Sequence, residues 1–580
     1  MLYKVILIII LFTAQPLWAA PIIFYTDIIN GPNAGGENNN GIYLSIFGKG
    51  FGATRGTSTV TINGTEVATY KQWGAESKVY STHGIQVITV QPGPSVTTGA
   101  IVVTVNSEAS NNNHTFTVRS GDIFYTDYTN GSDSNDGSFA SPKQSTQALF
   151  NNRTIFGPGD TIVMRGQNYT AKQSGRNYFV IFEDYAIGSE STPTTVMGYP
   201  GEDIFIDMQT ANPSGGYALF GTYTVPSQDA GLVLSNMRGD SGGSSAMIMR
   251  NTDYLRFVNM DIQGMSIDGN GTGMISSEAH YGKFYGNAIH DSGYNHLYHA
   301  LYWDTQAHDN EIGWNHIYDV KGGRGIQAYS GGAGEFYNFT IHNNVMHDMD
   351  RDAIGFGGNS TTGIKIYNNI IYRTGLGTAY EGNGTSSGIR FGTGNVSGVE
   401  VYNNTLYDNR SLAGAFWLEV GDAGTVIMKN NIIYATACYL DDTQHTDPDA
   451  DCANTGQYYY NQFGAPNTQF TANNNIWYSV DGTPPQSTPT WDTNPINGDP
   501  LLVDPTSPTR DFHLQSNSPA KDAGVTLSLV TKDFDGIARP QNSIYDIGAY
   551  EYEVSVSGCT SCIGHNSWRT KQGGFNGGFQ

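Results

Sequence analysis

Charged residues are scarce in this sequence, and positively charged ones are the scarcest. Only 14% of the 580 residues are charged, and 29 Lys and Arg face 52 Asp and Glu, which gives a formal net charge of −23. A protein that binds duplex nucleic acid needs a basic surface, so we exclude nucleic acid as a partner. An acidic polysaccharide would be repelled at long range. If such a glycan is the substrate, a local basic cleft or a bound cation must offset the repulsion.

Long apolar runs are also lacking, except near the start of the chain. Lys4 precedes an apolar stretch at 5–12, and Ala19 and Ala20 offer small residues at a cleavage point. This pattern predicts a signal peptide over residues 1–19. The alternative, a membrane anchor, needs about 20 apolar residues, and Gln15 and Pro16 interrupt this run. We therefore expect a secreted monomer without a membrane span, located outside the cell, at its surface or in a periplasm.

Cysteine is rare, with four residues in the chain. Cys438 and Cys452 could close one loop, and Cys559 and Cys562 form a C-x-x-C pair. Cysteines of exported proteins usually form disulfides. A zinc site at the second pair would need a second pair of ligands, which His565 alone does not supply. We expect a terminal disulfide rather than a metal or redox centre.

Glycine and tyrosine are abundant, at 72 and 36 residues, and this favours strands and turns over helices. Residues 20–118 read as short alternating strands separated by glycine-rich turns. Several motifs here resemble the IPT/TIG immunoglobulin-like domain: Gly48-Lys49-Gly50-Phe51-Gly52, Val60-Thr61-Ile62-Asn63-Gly64, Trp73, Thr98-Gly99 and Phe116-Thr117-Val118. The resemblance implies an accessory β-sandwich, and we expect a spacer role rather than carbohydrate binding.

An internal repeat dominates the chain after residue 122. Asparagine precedes a short apolar or aromatic run at Asn236, Asn259, Asn287, Asn315, Asn344, Asn369, Asn404 and Asn431. By subtraction the spacings are 23, 28, 28, 29, 25, 35 and 27 residues. Repeats of this length, with short strands and no helical period, indicate stacked coils of a β-solenoid. A propeller would need about 40–45 residues per unit. The sequence thus predicts an all-β protein, a parallel β-helix over 122–510, with the asparagines stacked as in amide ladders.

Two further segments carry resemblances. Asn130-Gly131-Ser132-Asp133, Gly159-Asp160-Thr161-Ile162 and Gly198-Tyr199-Pro200-Gly201 resemble the opening of pectate-lyase-like β-helices, which implies a right-handed parallel β-helix. Residues 511–555, with Asp533-Phe534-Asp535-Gly536, Arg539-Pro540 and Asp546-Ile547-Gly548, resemble the choice-of-anchor Q segment that follows many bacterial β-helices. We expect this segment to cap the helix. Residues 556–580 form a glycine-rich tail.

The register of one sheet can be predicted from its inward residues. The inward column is Met274, Leu301, Ile326, Ile354, Ile389 and Phe416. Because side chains alternate along a strand, one outward column should hold Tyr302, Gln327, Gly355, Arg390 and Trp417, and the next Asp304, Tyr329, Gly357, Gly392 and Glu419. Two residues before each inward position stand His299, Arg324 and Asp352. Neighbouring coils lie about 4.8 Å apart, so these three should stack at an outward-facing turn.

This cluster predicts a polysaccharide lyase acting by β-elimination on a uronate-containing glycan. Arg324 or Arg390 would bind the carboxylate, His299 or Lys321 would remove the proton, and Tyr302 would protonate the leaving oxygen. Gln327, Tyr329 and Trp417 would bind substrate. Asp304 and Asp352 are candidate ligands for Ca²⁺ that bridges the acidic glycan. The Asp-Pro-His-Asp motif of alginate epimerases and the Arg-x-Pro-x-x-Arg run of pectate lyases are absent from the sequence.

Other interpretations stay open from the sequence. Arg324 and Asp352 could form an exposed salt bridge beside a solvated His299. A glycoside hydrolase would need two carboxylates about 5–9.5 Å apart, whereas Asp304 and Glu419 are four coils apart, near 19 Å at about 4.8 Å per coil. A third possibility is a glycan-binding surface or adhesion protein without catalysis. The histidines of the Asn repeat, His290, His316 and His347, are expected to be structural. The acidic run at 441–451 is expected to be a solvated loop rather than a calcium site.

Overall fold

A computed structural model gives the architecture. It describes residues 20–166, 168–171, 173–174, 177–183, 188–213, 217–223, 231–242, 246–250, 252–264, 274–277, 279–293, 297–329, 334–358, 360–376, 386–392, 394–409, 415–419, 425–435, 460–463, 470–479, 488–506 and 510–553. The predicted signal peptide, the four cysteines, the acidic run at 441–451 and the glycine-rich tail lie outside these residues. No helix in the described ranges is long and apolar enough to cross a membrane.

A right-handed parallel β-helix forms the main body, as predicted. Each coil adds one strand to each of three long parallel sheets. The first sheet comprises Ile123–Asp127, Thr161–Arg165, Thr194–Gly198, Leu232–Ser235, Leu255–Val258, Lys283–Tyr285, Glu311–Gly313, Thr340–His342, Lys365–Tyr367, Val399–Tyr402, Val426–Lys429 and Phe470–Asn473. The second comprises Asn168–Tyr169, Phe205–Asp207, Arg238–Asp240, Asp261–Gln263, Ala288–Ile289, His316–Val320, Val345–Met349, Ile370–Thr374, Thr405–Tyr407, Ile432–Ala435 and Ile476–Ser479.

The third sheet closes each coil. It comprises Tyr178–Glu183, Ala218–Tyr223, Met247–Arg250, Met274–Ser277, Leu301–Asp304, Ile326–Tyr329, Ile354–Gly357, Ile389–Phe391, Phe416–Glu419 and Tyr460–Phe463. A short side sheet follows it, with Ala307–His308, Glu335–Tyr337, Ser360–Thr362 and Asn395–Ser397. Inward residues of all three sheets, such as Trp303, Ile341 and Ile371, form one continuous apolar core inside the coils. Two short helices, Thr146–Asn151 and Met208–Ala211, lie beside the early coils.

The N-terminal segment forms two antiparallel sheets, which fit a β-sandwich. One holds Ile22–Thr26, Leu44–Lys49, Gln86–Gln91 and Thr69–Glu76. The other holds Asn30–Gly31, Thr115–Val118, Gly99–Val105, Thr59–Ile62, Thr65–Glu66 and Glu108–Ala109, with only the first of these strands paired in parallel. A 3-10 turn at Glu37–Asn39 and a helical turn at Tyr80–His83 complete it. Membership of the IPT/TIG family stays a prediction.

A buried asparagine ladder runs through the β-helix. From Asn287 onward each side-chain amide donates to the Oδ1 atom of the asparagine one coil later, at 2.8–3.0 Å. The members are Asn287, Asn315, Asn344, Asn369, Asn404, Asn431 and Asn475. Each Oδ1 also accepts the backbone amide of the preceding member, as Asn344 does from Asn315. The predicted stacking is confirmed from Asn287 to Asn431 and continues to Asn475.

Two predicted anchors are wrong. Met260, not Asn259, holds the ladder position, because its backbone amide donates to the Oδ1 atom of Asn287. Asn236 and Asn259 lie one residue earlier, in the left-handed conformation with φ of 62° and 53°. Asparagine tolerates this conformation better than most residues. In these two coils a lone asparagine therefore fills the turn position instead of the ladder.

The asparagines at this outer turn position form a second column. This column binds two modules, the N-terminal sandwich and the C-terminal segment. Asn236 donates to a carboxylate oxygen of Asp27, and Asn259 accepts the backbone amide of Lys78, each at 2.8 Å. Later members donate to carbonyl oxygens of the C-terminal segment instead. These bonds are Asn343 to Asp533 and Phe534, Asn368 to Lys532, Asn403 to Asp546 and Gly548, Asn430 to Val525 and Asn474 to Ala523.

Both modules cover the first and second sheets and the corner between them. Apolar residues of the sandwich pack on Val163, Met197 and Val233 of the first sheet. The C-terminal segment, with its hairpin Leu502–Asp504 and Asp511–Leu514, packs Phe512 and Ile547 on the second sheet. Among the described residues, the two modules contact these two sheets and neighbouring turns, such as those of Gly159, Glu190 and Pro193. The outer face of the third sheet is therefore the candidate location of a functional site.

Candidate functional site

The third sheet brings the predicted residues into one row. Parallel pairing aligns Tyr302 with Gln327, Gln327 with Gly355, and Gly355 with Arg390. We call these four residues the outward row. The same pairing aligns Asp304 with Tyr329 and Tyr329 with Gly357. The predicted register is confirmed here, because the spacing of the inward apolar residues fixes it.

A hydrogen-bonded polar column lies beside this row, at the start of each strand. The Arg324 backbone amide donates to Nδ1 of His299 at 3.1 Å, and Arg324 Nε donates to Asp352 Oδ2 at 2.6 Å. The Ser387 amide and hydroxyl donate to Asp352 Oδ1 at 2.6 and 3.1 Å. The polar column is therefore His299, Arg324, Asp352 and Ser387. The predicted stacking of its first three members is confirmed.

The predicted exposure of the polar column is wrong. His299 is 4% exposed and Asp352 is 0% exposed. The reason is that Arg324 contacts His299 on one side and Asp352 on the other, and Ser387 contacts Asp352 from the next coil. Ser387 was missed by the sequence reasoning, although it stands two residues before the inward Ile389, which is the position of Asp352 relative to Ile354. Extending the column by one coil would have found it.

Two guanidinium groups surround the buried carboxylate. Arg324 makes the short ion pair with Asp352, and Arg390 NH1 lies 4.0 Å from the same Oδ2 atom. Arg324, Arg390 and Asp352 thus bring two positive charges and one negative charge together in one patch on an acidic protein. Asp304 adds a negative charge near Tyr302, on the same strand. Arg390 is partly buried, which weakens screening by solvent.

Tyr302 lies at the edge of this patch. Its ring is edge-on to His299, with 5.1 Å between centroids. Burial, followed by the charges of Asp304 and Tyr329, raises the pKa of Tyr302 to about 12. The phenol therefore stays protonated near neutral pH, where it can donate a hydrogen bond or a proton.

Gln327 and Tyr329 continue the surface along one strand. Gln327 is 5% exposed, and its Oε1 atom has no hydrogen-bond partner among the described residues. Tyr329 is 46% exposed, and a Cβ atom added to Gly357 would lie 3.1 Å from its ring. The tyrosine ring therefore lies over a glycine with one side open to solvent, which suits stacking on a sugar ring. Trp417 follows Arg390 in the register, but its side chain and that of Glu419 lie outside the described residues.

The remaining candidates lie nearby. The side chain of Lys321 is 60% exposed and its Nζ atom is 3.5 Å from Asp319. A Cβ atom added to Gly323 would touch the backbone of Tyr298 and His299, so the Lys321 turn adjoins the polar column. In the ranges described above, no three His, Cys, Asp or Glu side chains form a group that could hold a metal. Both oxygens of Asp352 already accept hydrogen bonds. Calcium binding by Asp304 and Asp352 stays a prediction.

The structure has distant similarities to solved structures. No family model matches the sequence, and no curated protein matches it. The structure is similar to that of pectate lyase Pel9A, with 14% identity, 75% of this chain and 97% of that chain covered, and a TM-score of 0.41. It is also similar to a family 28 exopolygalacturonase of Yersinia enterocolitica, with 10% identity, 83% and 100% covered, and a TM-score of 0.41. The periplasmic alginate epimerase AlgG shares 14% identity, with 61% and 82% covered, and a TM-score of 0.29. At these values the similarity concerns the parallel β-helix alone.

Proposed function

We propose that the protein is a secreted polysaccharide lyase, which cleaves a uronate-containing glycan by β-elimination on the outer face of the third sheet. The observation that carries the proposal is the pair of guanidinium groups around the buried carboxylate of Asp352. A β-elimination needs the carboxylate of the sugar neutralised, so that the proton on the adjacent carbon becomes acidic. Two guanidinium groups beside one carboxylate, on an otherwise acidic protein, support that role.

In the proposed reaction each residue of the site has its own role. Arg390 and the guanidinium of Arg324 bind the carboxylate, in the bidentate manner that arginine favours. Tyr302 holds its proton at neutral pH and donates it to the leaving glycosidic oxygen. Tyr329 stacks against a neighbouring sugar.

One hydrogen bond distinguishes His299 from Lys321 as candidates for the base that removes the proton. A backbone amide can only donate, so Nδ1 of His299 accepts from Arg324 and the neutral ring carries its hydrogen on Nε2. A second proton would have to displace the Arg324 amide from Nδ1. We therefore assign proton removal to Lys321 in its neutral amine form, which requires that its ammonium group first releases a proton to solvent, and a positioning role to His299.

A panel of uronate polysaccharides tests the proposal, with absorbance of the unsaturated product as the readout. A lyase produces this absorbance together with new reducing ends. A glycoside hydrolase produces reducing ends alone, and a binding protein produces neither. Lys321→Ala should abolish the absorbance, whereas His299→Gln should leave at least a tenth of it. Repeating the assay after exhaustive chelation tests the calcium prediction, since full activity would leave only the arginines to neutralise the carboxylate.

A glycoside hydrolase is less consistent with the register. Asp304 and Glu419 are separated by four strand steps of the third sheet, or near 19 Å at about 4.8 Å per step. Hydrolysis needs carboxyl groups about 5–9.5 Å apart.

A further inference from the structure

We propose that Gln327 is a specificity-determining residue, which accepts a hydrogen bond from a free hydroxyl of the uronate held by the two arginines. The site would then select uronates whose carboxylate is not esterified and whose neighbouring hydroxyl is not acylated. This inference rests on the proposed function, because it names the substrate class of the same site.

The first observation is an acceptor without a donor. Gln327 lies in the outward row and is almost completely buried, yet its Oε1 atom accepts no hydrogen bond from the described residues. Buried polar atoms are nearly always paired, and this unpaired oxygen belongs to the outward row of the candidate site. Only a group that carries a hydrogen can satisfy this oxygen.

The second observation is the place where that oxygen points. A Cβ atom built on Gly355 would lie 2.7 Å from Gln327 Oε1, 2.9 Å from Arg324 Cδ and 3.3 Å from Arg324 Nε. The glutamine oxygen and the guanidinium stem therefore converge over one glycine. Glycine at position 355 makes this possible, because any side chain would push both groups apart.

The third observation is the position of the second arginine. Arg390 pairs with Gly355 in the sheet register, on the side away from Gln327. Gln327 and Arg390 are therefore two strand steps apart, or near 10 Å at about 4.8 Å per step. Gln327 Oε1 lies over Gly355, which stands between the two strands, and Arg390 NH1 lies 4.0 Å from Asp352 Oδ2.

These observations define the ligand by its chemistry. The ligand needs an anionic group for the arginines and, on the same ring, a hydrogen-bond donor for the glutamine. A uronic acid carries both. Methyl esterification removes the charge, and O-acetylation replaces the donor with a bulkier acceptor. A site with a buried acceptor rejects ligands that lack the donor, because the acceptor then stays unpaired.

The test compares one polyuronate in its O-acetylated and chemically deacetylated forms. The variant is Gln327→Met, which keeps the length and shape of the side chain but removes the acceptor. For the wild-type protein we expect kcat/KM to be about 10-fold or more higher on the deacetylated form. Gln327→Met should lose this preference through a raised KM on the deacetylated form. Its thermal stability should be unchanged or higher, since an unpaired buried oxygen has been removed.

A second variant and a binding measurement keep the inference falsifiable. Gly355→Ala should displace Gln327 and Arg324 together and lose both the preference and most of the turnover. Equal kcat/KM of the wild-type protein on the two forms, or a full preference in Gln327→Met, would overturn the inference and leave the lyase proposal intact. If no uronate glycan gives unsaturated product, the lyase proposal fails instead. Calorimetric titration with deacetylated oligouronates then decides, and equal affinity of the wild-type protein and Gln327→Met would overturn the inference.

Discussion

At the scale of single residues, the burial of Asp352 changes what a substitution at the site should do. The surface position expected from the sequence predicts a loss of turnover near 10²-fold for His299→Ala or Arg324→Ala, with normal folding. In the structure Arg324 is the close partner of a fully buried carboxylate. Removing one partner of a buried pair costs about 3–5 kcal/mol, because the other charge is left uncompensated. Arg324→Ala should therefore fold poorly.

The role of the arginines is better tested at Arg390. This residue lies 4.0 Å from Asp352, whereas Arg324 makes the 2.6 Å contact. We expect Arg390→Ala to lose turnover by about 10²-fold or more and to lose less stability than Arg324→Ala. Kinetics and urea denaturation of both variants check this. The control is the double variant Arg324→Ala, Asp352→Asn, which should regain stability without regaining turnover. Full turnover in Arg390→Ala would contradict the proposed role.

A histidine pair on the second sheet gives a prediction for pH. The Nε2 atoms of His316 and His347 lie 2.8 Å apart, and Nδ1 of His347 contacts Asp348 at 2.6 Å. Burial, and then the charge of His347, lowers the pKa of His316 well below its ordinary value. The unfolded chain therefore binds a proton at His316 below about pH 6.5, and the folded protein does not. His316 therefore lowers the free energy of unfolding as the pH falls through that range.

The corresponding experiment measures the free energy of unfolding at pH 7.5 and at pH 5. We expect the loss between these pH values to be smaller in His316→Asn than in the wild-type protein. His290 is the matched control, since its hydrogen bonds with Asp261 and Asp291 raise its pKa against the opposing effect of burial. Its contribution has the opposite sign, and His290→Asn should lose more stability on acidification. Identical losses in all three proteins would contradict the assignment.

The sequence predicted the register of the site residues in the third sheet correctly, but it predicted the exposure of the polar column wrongly. Tyr302, Gln327 and Arg390 could be aligned because Leu301, Ile326 and Ile389 are apolar at matching points of the repeat. Burial of Asp352 could not be predicted without Ser387, which comes from the coil with the longest spacing, 35 residues.

At the scale of elements, the two asparagine columns should differ in their contribution to stability. Asn344 donates to Asn369 and to the Ile312 carbonyl, and it accepts from Asn315. Asn344→Ala leaves several buried groups unpaired, each costing about 1–3 kcal/mol. We expect a total loss of at least 3 kcal/mol. Asn368→Gly keeps the left-handed turn. It loses a bond to the Lys532 carbonyl and a long bond of 3.4 Å from Arg539, so it should lose about 1–2 kcal/mol.

Urea denaturation of Asn344→Ala and Asn368→Gly checks this difference. Equal losses would mean that the ladder has no special importance. The sequence could not assign Asn236 and Asn259 correctly because both columns use the same amino acid at adjacent positions. Where two asparagines are consecutive, as at 343–344, each position is filled; where one stands alone, either position accepts it.

At the scale of the whole molecule, the two modules behave as one structure with the β-helix. Lys49 of the sandwich pairs with Asp535 of the C-terminal segment at 2.5 Å, and His83 stacks on Phe534 at 5.0 Å. The sandwich thus contacts the C-terminal segment directly, and its spacer role stays a prediction. We expect thermal unfolding of the full chain in a single calorimetric transition. Two resolved transitions, with the sandwich melting first, would contradict this.

The charge distribution predicts an unusual response to salt. The protein carries a net charge of −23, and a polyuronate approaches against this field until it reaches the arginines. Salt screens the long-range repulsion, with a Debye length near 10 Å at 0.1 M, and affects the partly buried arginines less. Initial rates at low substrate concentration should therefore rise as NaCl increases from about 10 to 100 mM. A monotonic fall would mean that the local attraction dominates.

The contact between the two modules restricts how the number of coils can change during evolution. The sandwich is bonded to the coils of Asn236 and Asn259 and packs against Trp314, and the C-terminal segment is bonded from Asn343 onward. No spare coil separates the two footprints. Inserting one coil between them would move Asp535 away from Lys49 by about 4.8 Å and break their ion pair. The two modules thus fix the number of coils between their contacts. Coils can be gained or lost without breaking this ion pair only outside that interval.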